Sequence, residues 1–252
     1  MSIFITALHY NLRPFFHLKT FSIFTIVFMI YIASIRMIKV NSLPSDILEA
    51  IVILPENLNG SIASILFTIA FCLPFLIITS MIFQQFFNGS GYFLWIRLAR
   101  IQYWFISFLL AIAIVIVCYL VLFYCLAALS FMFISPSNIE FFTIQTSIIK
   151  QFFLLWASLL LLCFFNIMLI ILLKQMEISL AISLTILSSS LLLAHQFTVP
   201  TAFPFAYGFI SSIIPSSSIS IYAIASVICI TTLLYLQFNK QFEQLIFTKG
   251  GL

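Results

Sequence analysis

Long apolar runs separated by short polar segments make up most of this chain. The runs are close to or above the roughly 20 residues that a helix needs to cross a bilayer. They lie at residues 16–35, 61–83, 101–134, 151–173, 178–194 and 219–238. The pattern therefore predicts an all-α polytopic membrane protein with six transmembrane helices in a single domain, 1–252. Because the run at 101–134 exceeds one span, its helix is expected to tilt, to protrude or to break.

Composition supports a lipid environment for most of the surface. The chain is 64% hydrophobic and only 6% charged, with a mean hydropathy of +1.27, whereas a water-soluble domain carries about 25% charged residues. The net charge of +4 is small and divided among the polar segments. Nucleic acid is therefore not an expected partner.

The N-terminal segment, residues 1–15, mixes apolar and polar side chains. It is too polar to span a bilayer and apolar enough to lie on one, and Pro14 is expected to bend or end it before the first span. We therefore predict an interfacial amphipathic helix here. Arg13 lies near its end.

Residues 84–100 form a polar interruption between the second and third runs. Asn88, Gly89 and Gly91 precede Arg97 and Arg100, which would share one face of a helix because they lie three residues apart. Two interpretations remain open for this elbow. It is either a docking element for a cytoplasmic partner or a basic loop that anchors two helices to lipid headgroups.

Residues 196–217 are apolar but cannot form one regular span. They contain Pro200, Pro204, Gly208 and Pro215, and broken backbone at membrane depth persists only when it is buried in protein or lines a cavity. The pattern predicts a re-entrant element between the fifth and sixth spans. In the second run, Pro74 is expected to kink the helix, either as a packing feature or beside a pathway.

The basic residues orient the six-span arrangement. With both termini in the cytoplasm, seven of the ten basic residues lie inside, which agrees with the positive-inside rule. The inside set is Arg13, Lys19, Arg97, Arg100, Lys174, Lys240 and Lys249.

Motifs for catalysis are missing from the sequence. It has no G-x-x-x-x-G-K-[ST] phosphate loop, H-E-x-x-H or G-x-S-x-G motif. The five cysteines all lie in predicted spans without a histidine at ligand spacing, and the three histidines are isolated. We therefore expect no catalytic residues, no metal site and no cofactor. The spans also lack a central charged residue of the kind that secondary transporters use to bind a coupling ion, so energy for any transport is expected to come from another subunit.

Three features together resemble a known family. An N-terminal amphipathic helix, a glycine-containing basic elbow after the second span and a proline-marked re-entrant element are similar to those of the small six-span permease subunits of ABC-2 type exporters. The elbow departs from the family in one respect, because Asn88 stands where an acidic residue is often found.

The resemblance implies a multi-pass permease of the cell membrane that pairs with itself or with a paralogue. Its partners would be membrane lipid and a separate ABC ATPase, with Asn88, Gly89, Gly91, Arg97, Arg100 and Arg13 as the docking residues. The cargo would be hydrophobic or amphipathic, such as a peptide, in export or in self-immunity. Two alternatives stay open: a non-transporting membrane protein that sequesters a toxin or scaffolds a complex, and an intramembrane enzyme, which the missing polar residues disfavour.

Overall fold

The computed structural model describes residues 2–38, 62–85, 101–132, 145–197, 205 and 224–236. The regular elements in these ranges are helices and none is a strand, which confirms the all-α class for this part of the chain. The helices are α1 (Ser2–Leu12), α2 (Leu18–Ile38), α3 (Ile62–Gln85), α4 (Ile101–Met132), α5 (Gln145–Leu173), α6 (Met176–Phe197) and α7 (Ile224–Leu236).

Three of these helices are long and apolar enough to cross a membrane. Their apolar stretches are Trp104–Leu129, Phe152–Leu173 and Met176–Leu193. In α2, α3 and α7, the apolar stretches found among the described residues are shorter, between 10 and 17 residues. These three long helices indicate membrane association. A six-span count remains a prediction.

Helix α4 is continuous over its 32 residues. At 1.5 Å per residue it is about 48 Å long. Of the three outcomes expected for the run at 101–134, a break is excluded within Ile101–Met132. A helix can continue here because an α-helix satisfies the backbone N–H and C=O groups of its interior with its own hydrogen bonds, which lipid requires.

Helix α2 runs along α4 in the same direction, and α1 ends beside the start of α4. Asn11 of α1 contacts Trp104 and Ser107, whereas the ring of Phe24 in α2 stacks on that of Tyr119 at 3.8 Å. The first turns of α4 therefore contact the end of α1, and its later turns contact α2.

Aromatic rings fill the space between α2, α3 and α4. We refer to them as the aromatic cluster, which consists of Phe24, Phe28, Phe71, Phe75, Tyr119 and Phe123, all buried. The centroid of the Phe123 ring lies 5.1 Å from that of Phe28 and 5.1 Å from that of Phe71. The rings of Phe24 and Phe75 are 4.8 Å apart. The abundant phenylalanine of the sequence thus supplies the packing between these three helices.

Helix α5 is the most buried of the three long helices. Of its apolar stretch, 78% is buried, compared with 28% for that of α6. It packs on α3, α4 and α6, and the Trp156 indole N–H donates to the Ala113 carbonyl of α4 at 3.2 Å. The helix begins at Gln145, before the predicted run at 151–173, because a single lysine, Lys150, does not end a helix.

A tight turn joins α5 to α6. Lys174 adopts φ 56°, in the left-handed region, and its N–H donates to the Ile170 carbonyl at 2.9 Å, which closes the end of α5. Gln175 follows, and its carbonyl accepts from the Ser179 hydroxyl at 2.7 Å in the first turn of α6. Lys174 and Glu177 are both exposed at this end of the bundle.

Candidate functional site

Most of the predicted site residues lie outside the part of the chain that the structure describes. For the elbow, these are Asn88, Gly89, Gly91, Arg97 and Arg100; for the re-entrant element, they are Pro200, Pro204, Gly208 and Pro215. Arg13 is described and is exposed just after α1. The structure does define the helix ends on either side of the elbow.

These helix ends meet other elements at one end of the bundle. Phe83, near the end of α3, lies 5.6 Å from Phe108, near the start of α4, measured between ring centroids. The contacts of Phe71 with Phe123 and of Phe75 with Tyr119 show that α3 runs antiparallel to α4. The contacts of Ala113 with Trp156 and of Tyr124 with Phe152 show the same for α5. Helices α3 and α5 therefore point the same way, and because Ser80 of α3 bonds Asn166 of α5, the α5–α6 turn falls at the end where α3 stops. The segment 86–100 therefore starts and finishes at the same end of the bundle as Lys174.

The buried Asn11 amide connects α1 to α4 at this end of the bundle. The Asn11 Nδ2 group donates to the Ser107 hydroxyl at 2.9 Å and lies 3.5 Å from the Trp104 carbonyl, and the Ser107 hydroxyl donates to that same carbonyl at 2.7 Å. Ala7 and Asn11 lie four residues apart and are both buried, so they form the buried face of α1. The amide thus fixes α1 against the first turns of α4, while Ile5 and Tyr10 stay exposed.

Side chains of α4 and α2 satisfy carbonyls in the break between α1 and α2. Pro14 lies in this break, and the carbonyl of the next residue, Phe15, accepts a hydrogen bond from the Tyr119 hydroxyl at 2.6 Å. The Thr20 hydroxyl donates to the Pro14 carbonyl at 3.1 Å. Two carbonyls released by the break therefore have partners, as a broken helix in a bundle requires.

A second buried amide, that of Asn166, lies between α3, α5 and α6. The Asn166 Nδ2 group donates to the Ser80 hydroxyl at 2.6 Å, and its Oδ1 accepts from the Ser183 hydroxyl at 3.1 Å. The Ser80 hydroxyl in turn donates to the Leu76 carbonyl at 2.6 Å. All three side chains are fully buried. We call this arrangement the amide chain; it links α3, α5 and α6.

Sequence reasoning missed both of these amides. Asn166 is the one amide residue within the apolar stretch Phe152–Leu173, and a polar side chain inside a span is a candidate for a special role. That signal was present in the sequence. Asn11 was interpreted only as part of an interfacial helix, because a sequence does not reveal which neighbouring helix will satisfy an amide.

Phe205, a described residue of the predicted re-entrant element, contacts α5. Phe205 is half-buried, and its ring lies 5.3 Å from that of Phe165 at 61°. Phe165 lies within the apolar stretch of α5. This contact holds residue 205 against the bundle.

The chemistry available in the described ranges is that of amides, hydroxyls and thiols. No group of three or more His, Cys, Asp or Glu side chains comes together there. Cys72 and Cys163 are buried, whereas Cys118, Cys125 and Cys229 are exposed. Amides and hydroxyls both donate and accept hydrogen bonds, so they can connect helices without carrying charge.

Comparison with protein-family models, with curated proteins and with solved structures gives no match.

Proposed function

We propose that this chain is the permease subunit of an ATP-driven exporter, moving a hydrophobic or amphipathic substrate such as a peptide with a separate ATP-binding subunit. The observation that carries the proposal is the convergence of elements at one end of the bundle. Helix α1, the helix ends that flank segment 86–100 and the α5–α6 turn all meet there. A soluble motor that pushes on several helices at once needs such a shared end.

The uncharged helix interiors support an external energy source. The stretches Trp104–Leu129 and Phe152–Leu173 contain no Asp, Glu, Lys or Arg. Coupling to an ion gradient usually uses an ionisable side chain within a span. ATP hydrolysis by a partner supplies the energy without one.

The wider arrangement belongs to the same proposal. Helices α2, α3 and α7 join the three long helices as spans, both termini lie in the cytoplasm, and residues 196–217 re-enter the membrane from outside. The permease forms a pair with itself or a paralogue. The contact between Phe205 and Phe165 supports an apolar segment that stays close to the bundle.

The elbow is the expected docking site, and reversing its charge tests this. We expect wild-type protein, gently solubilised from its native membrane, to copurify with a chain that bears a phosphate loop, identified by mass spectrometry. Arg97→Glu with Arg100→Glu should abolish that recovery, because a reversed charge in a partly desolvated contact costs several kcal/mol. The matched control is Arg36→Glu with Lys39→Glu, two basic residues predicted on the opposite face, which should retain the partner.

Two results would contradict the docking role. One is recovery of the ATPase by the Arg97→Glu, Arg100→Glu permease when that permease is made at wild-type yield. The other is loss of the ATPase from both charge-reversed variants alike, since that would show a general effect of charge reversal on the membrane protein.

A non-transporting function, in which the protein sequesters a toxin or scaffolds a complex, is the second candidate. One observation favours it: the central polar groups Ser80, Asn166 and Ser183 satisfy one another, so they leave no open polar path among themselves. This candidate needs no ATPase. Failure of any phosphate-loop chain to copurify with wild-type protein would favour it over the exporter.

A further inference from the structure

The exposed surface of residues 4–33 changes character along the chain. Around the break between α1 and α2 the exposed side chains include His9, Arg13, His17 and Lys19. From Phe21 onward the exposed side chains are almost all apolar: Phe21, Ile23, Ile26, Met29 and Ile30. A basic surface therefore gives way to an apolar one within about one helical turn.

The exposed hydroxyl in the apolar part does not alter this boundary. Ser22 donates to the Leu18 carbonyl at 2.9 Å, and the half-buried Thr25 donates to the Phe21 carbonyl at 2.9 Å. Both hydroxyls are satisfied by their own helix and need no water. The face of α2 beyond Lys19 is therefore compatible with lipid tails.

The length of α2 places this boundary at the edge of the hydrocarbon layer. Its 21 residues extend about 31 Å, enough to reach across the roughly 30 Å of a bilayer's hydrocarbon core, and its apolar stretch Leu18–Ala33 accounts for about 24 Å of that length. The start of α2 then lies where tails meet headgroups. Phe16 and Leu18, 48% and 77% exposed, are apolar side chains at that level beside the basic ones.

No acidic side chain competes for this surface nearby in sequence. The first acidic residue of the chain is Asp46. Within the described ranges, the one acidic residue is Glu177, at the α5–α6 turn. The break between α1 and α2 thus exposes positive charge together with apolar side chains.

We propose that this break is a binding site for the phosphate groups of anionic membrane lipids, with Arg13 and Lys19 on the phosphates and Phe16 and Leu18 among the acyl chains. The mixture of exposed apolar side chains and exposed basic groups within residues 13–19 fits a lipid headgroup and its tail. The site rests on α2 crossing the membrane, as in the proposed arrangement, and not on an ATPase. It assigns Arg13 to lipid rather than to the docking contact.

Lipid retention measured by native mass spectrometry tests the site. The full chain is purified in detergent and exposed to equal amounts of phosphatidylglycerol and phosphatidylcholine. Wild-type protein should retain phosphatidylglycerol preferentially. Arg13→Ala with Lys19→Ala should lower that preference on the order of 10-fold or more, since each basic residue near an anionic surface contributes roughly fivefold. Thermal unfolding checks that the variant is folded, which is expected because both side chains are exposed.

The preference for phosphatidylglycerol should depend on the positive charge at positions 13 and 19 and not on whether arginine or lysine carries it. Arg13→Lys with Lys19→Arg is the matched control and should keep it, and an excess of inorganic phosphate should not displace the bound lipid. An unchanged preference in the folded alanine variant overturns the proposal. Loss of ATPase copurification by that variant, with its lipid preference intact, would assign the surface to a protein partner instead. Failure of the exporter proposal alone would leave the lipid preference in place.

Discussion

Helix α3 packs on two sets of neighbours that differ in chemistry. Toward α2 and α4 it presents Phe71 and Phe75 to the aromatic cluster, in which rings pack at centroid distances from 3.8 to 6.4 Å. Toward α5 and α6 it presents Ser80 to the amide chain, at 2.6 Å from Asn166. The same helix is therefore held by ring packing on one side and by hydrogen bonds on the other.

The difference shows two ways of joining helices in lipid. Because lipid tails are as apolar as the side chains, burial alone does not drive helices together there, and close packing and hydrogen bonds must do so. Rings supply many weak contacts with little directional preference. An amide bonded on both sides fixes the register and rotation of its helices. The aromatic side should thus contribute more energy, and the amide side more specificity.

Truncation of the central ring should have the largest effect. Phe123 is fully buried and contacts rings from α2 and α3, so Phe123→Ala should lower the free energy of unfolding by about 3 kcal/mol through lost packing and a cavity. Unfolding in mixed micelles by titration with sodium dodecyl sulfate measures this. Val121→Ala on the same helix is the control, because Val121 is 48% exposed. Equal losses of unfolding free energy for the two variants would show that the aromatic cluster does not stabilise the packing of α2, α3 and α4.

Removal of the Asn166 amide should have a smaller effect on the free energy of unfolding. Asn166→Ala should lower the free energy of unfolding by about 1–2 kcal/mol, because the interhelical hydrogen bonds are lost while the serines can bond within their own helices. A double-mutant cycle of Asn166→Ala with Ser183→Ala measures the coupling, expected at about 1 kcal/mol.

The matched control for that cycle is Ser189→Ala. Ser189 lies on the same helix as Ser183, but it is exposed and its hydroxyl donates to Ile186 within α6 at 3.0 Å. Its coupling to Asn166 should be near zero. A coupling of Ser183 no larger than that of Ser189 would remove the amide chain as a link between α5 and α6.

Removal of the Tyr119 hydroxyl, at the aromatic cluster, should have the smallest effect on the free energy of unfolding. Tyr119→Phe keeps the ring against Phe24 but removes the hydroxyl that bonds the Phe15 carbonyl. The cost should be about 1 kcal/mol in the free energy of unfolding. Tyr119→Ala, by comparison, should cost as much as Phe123→Ala. If Tyr119→Phe were as damaging as Tyr119→Ala, hydrogen bonding rather than packing would dominate on this side as well.

The sequence predicted the helical class because runs of this length and apolarity have no other stable form in lipid. The sequence could not predict which helix faces contact one another. Most positions of α4 are apolar, so periodicity does not distinguish the face that meets α1 from the face that meets lipid. The exposed Leu110 and the buried Leu109 of α4 are chemically identical.

The polar contacts were harder to predict for a different reason. Asn11 and Ser107 are 96 residues apart, and Asn166 and Ser80 are 86 apart, so each pair depends on the packing of whole helices. The one amide of the apolar stretch Phe152–Leu173 could have been marked from sequence, but its partners could not. The elbow residues Arg97 and Arg100 and the re-entrant prolines remain predictions, because they lie outside the described ranges.

We propose that the end of the bundle where α1, the helix ends that flank residues 86–100 and the α5–α6 turn converge faces the cytoplasm. Single cysteines at Asn57 and Ser90, placed in a variant lacking the five native cysteines, can be labelled with a membrane-impermeant maleimide. We expect Asn57→Cys to be labelled in intact cells and Ser90→Cys to be labelled only after the membrane is opened. Labelling of Ser90→Cys in intact cells would contradict the orientation, the six-span arrangement and the docking role of the elbow together.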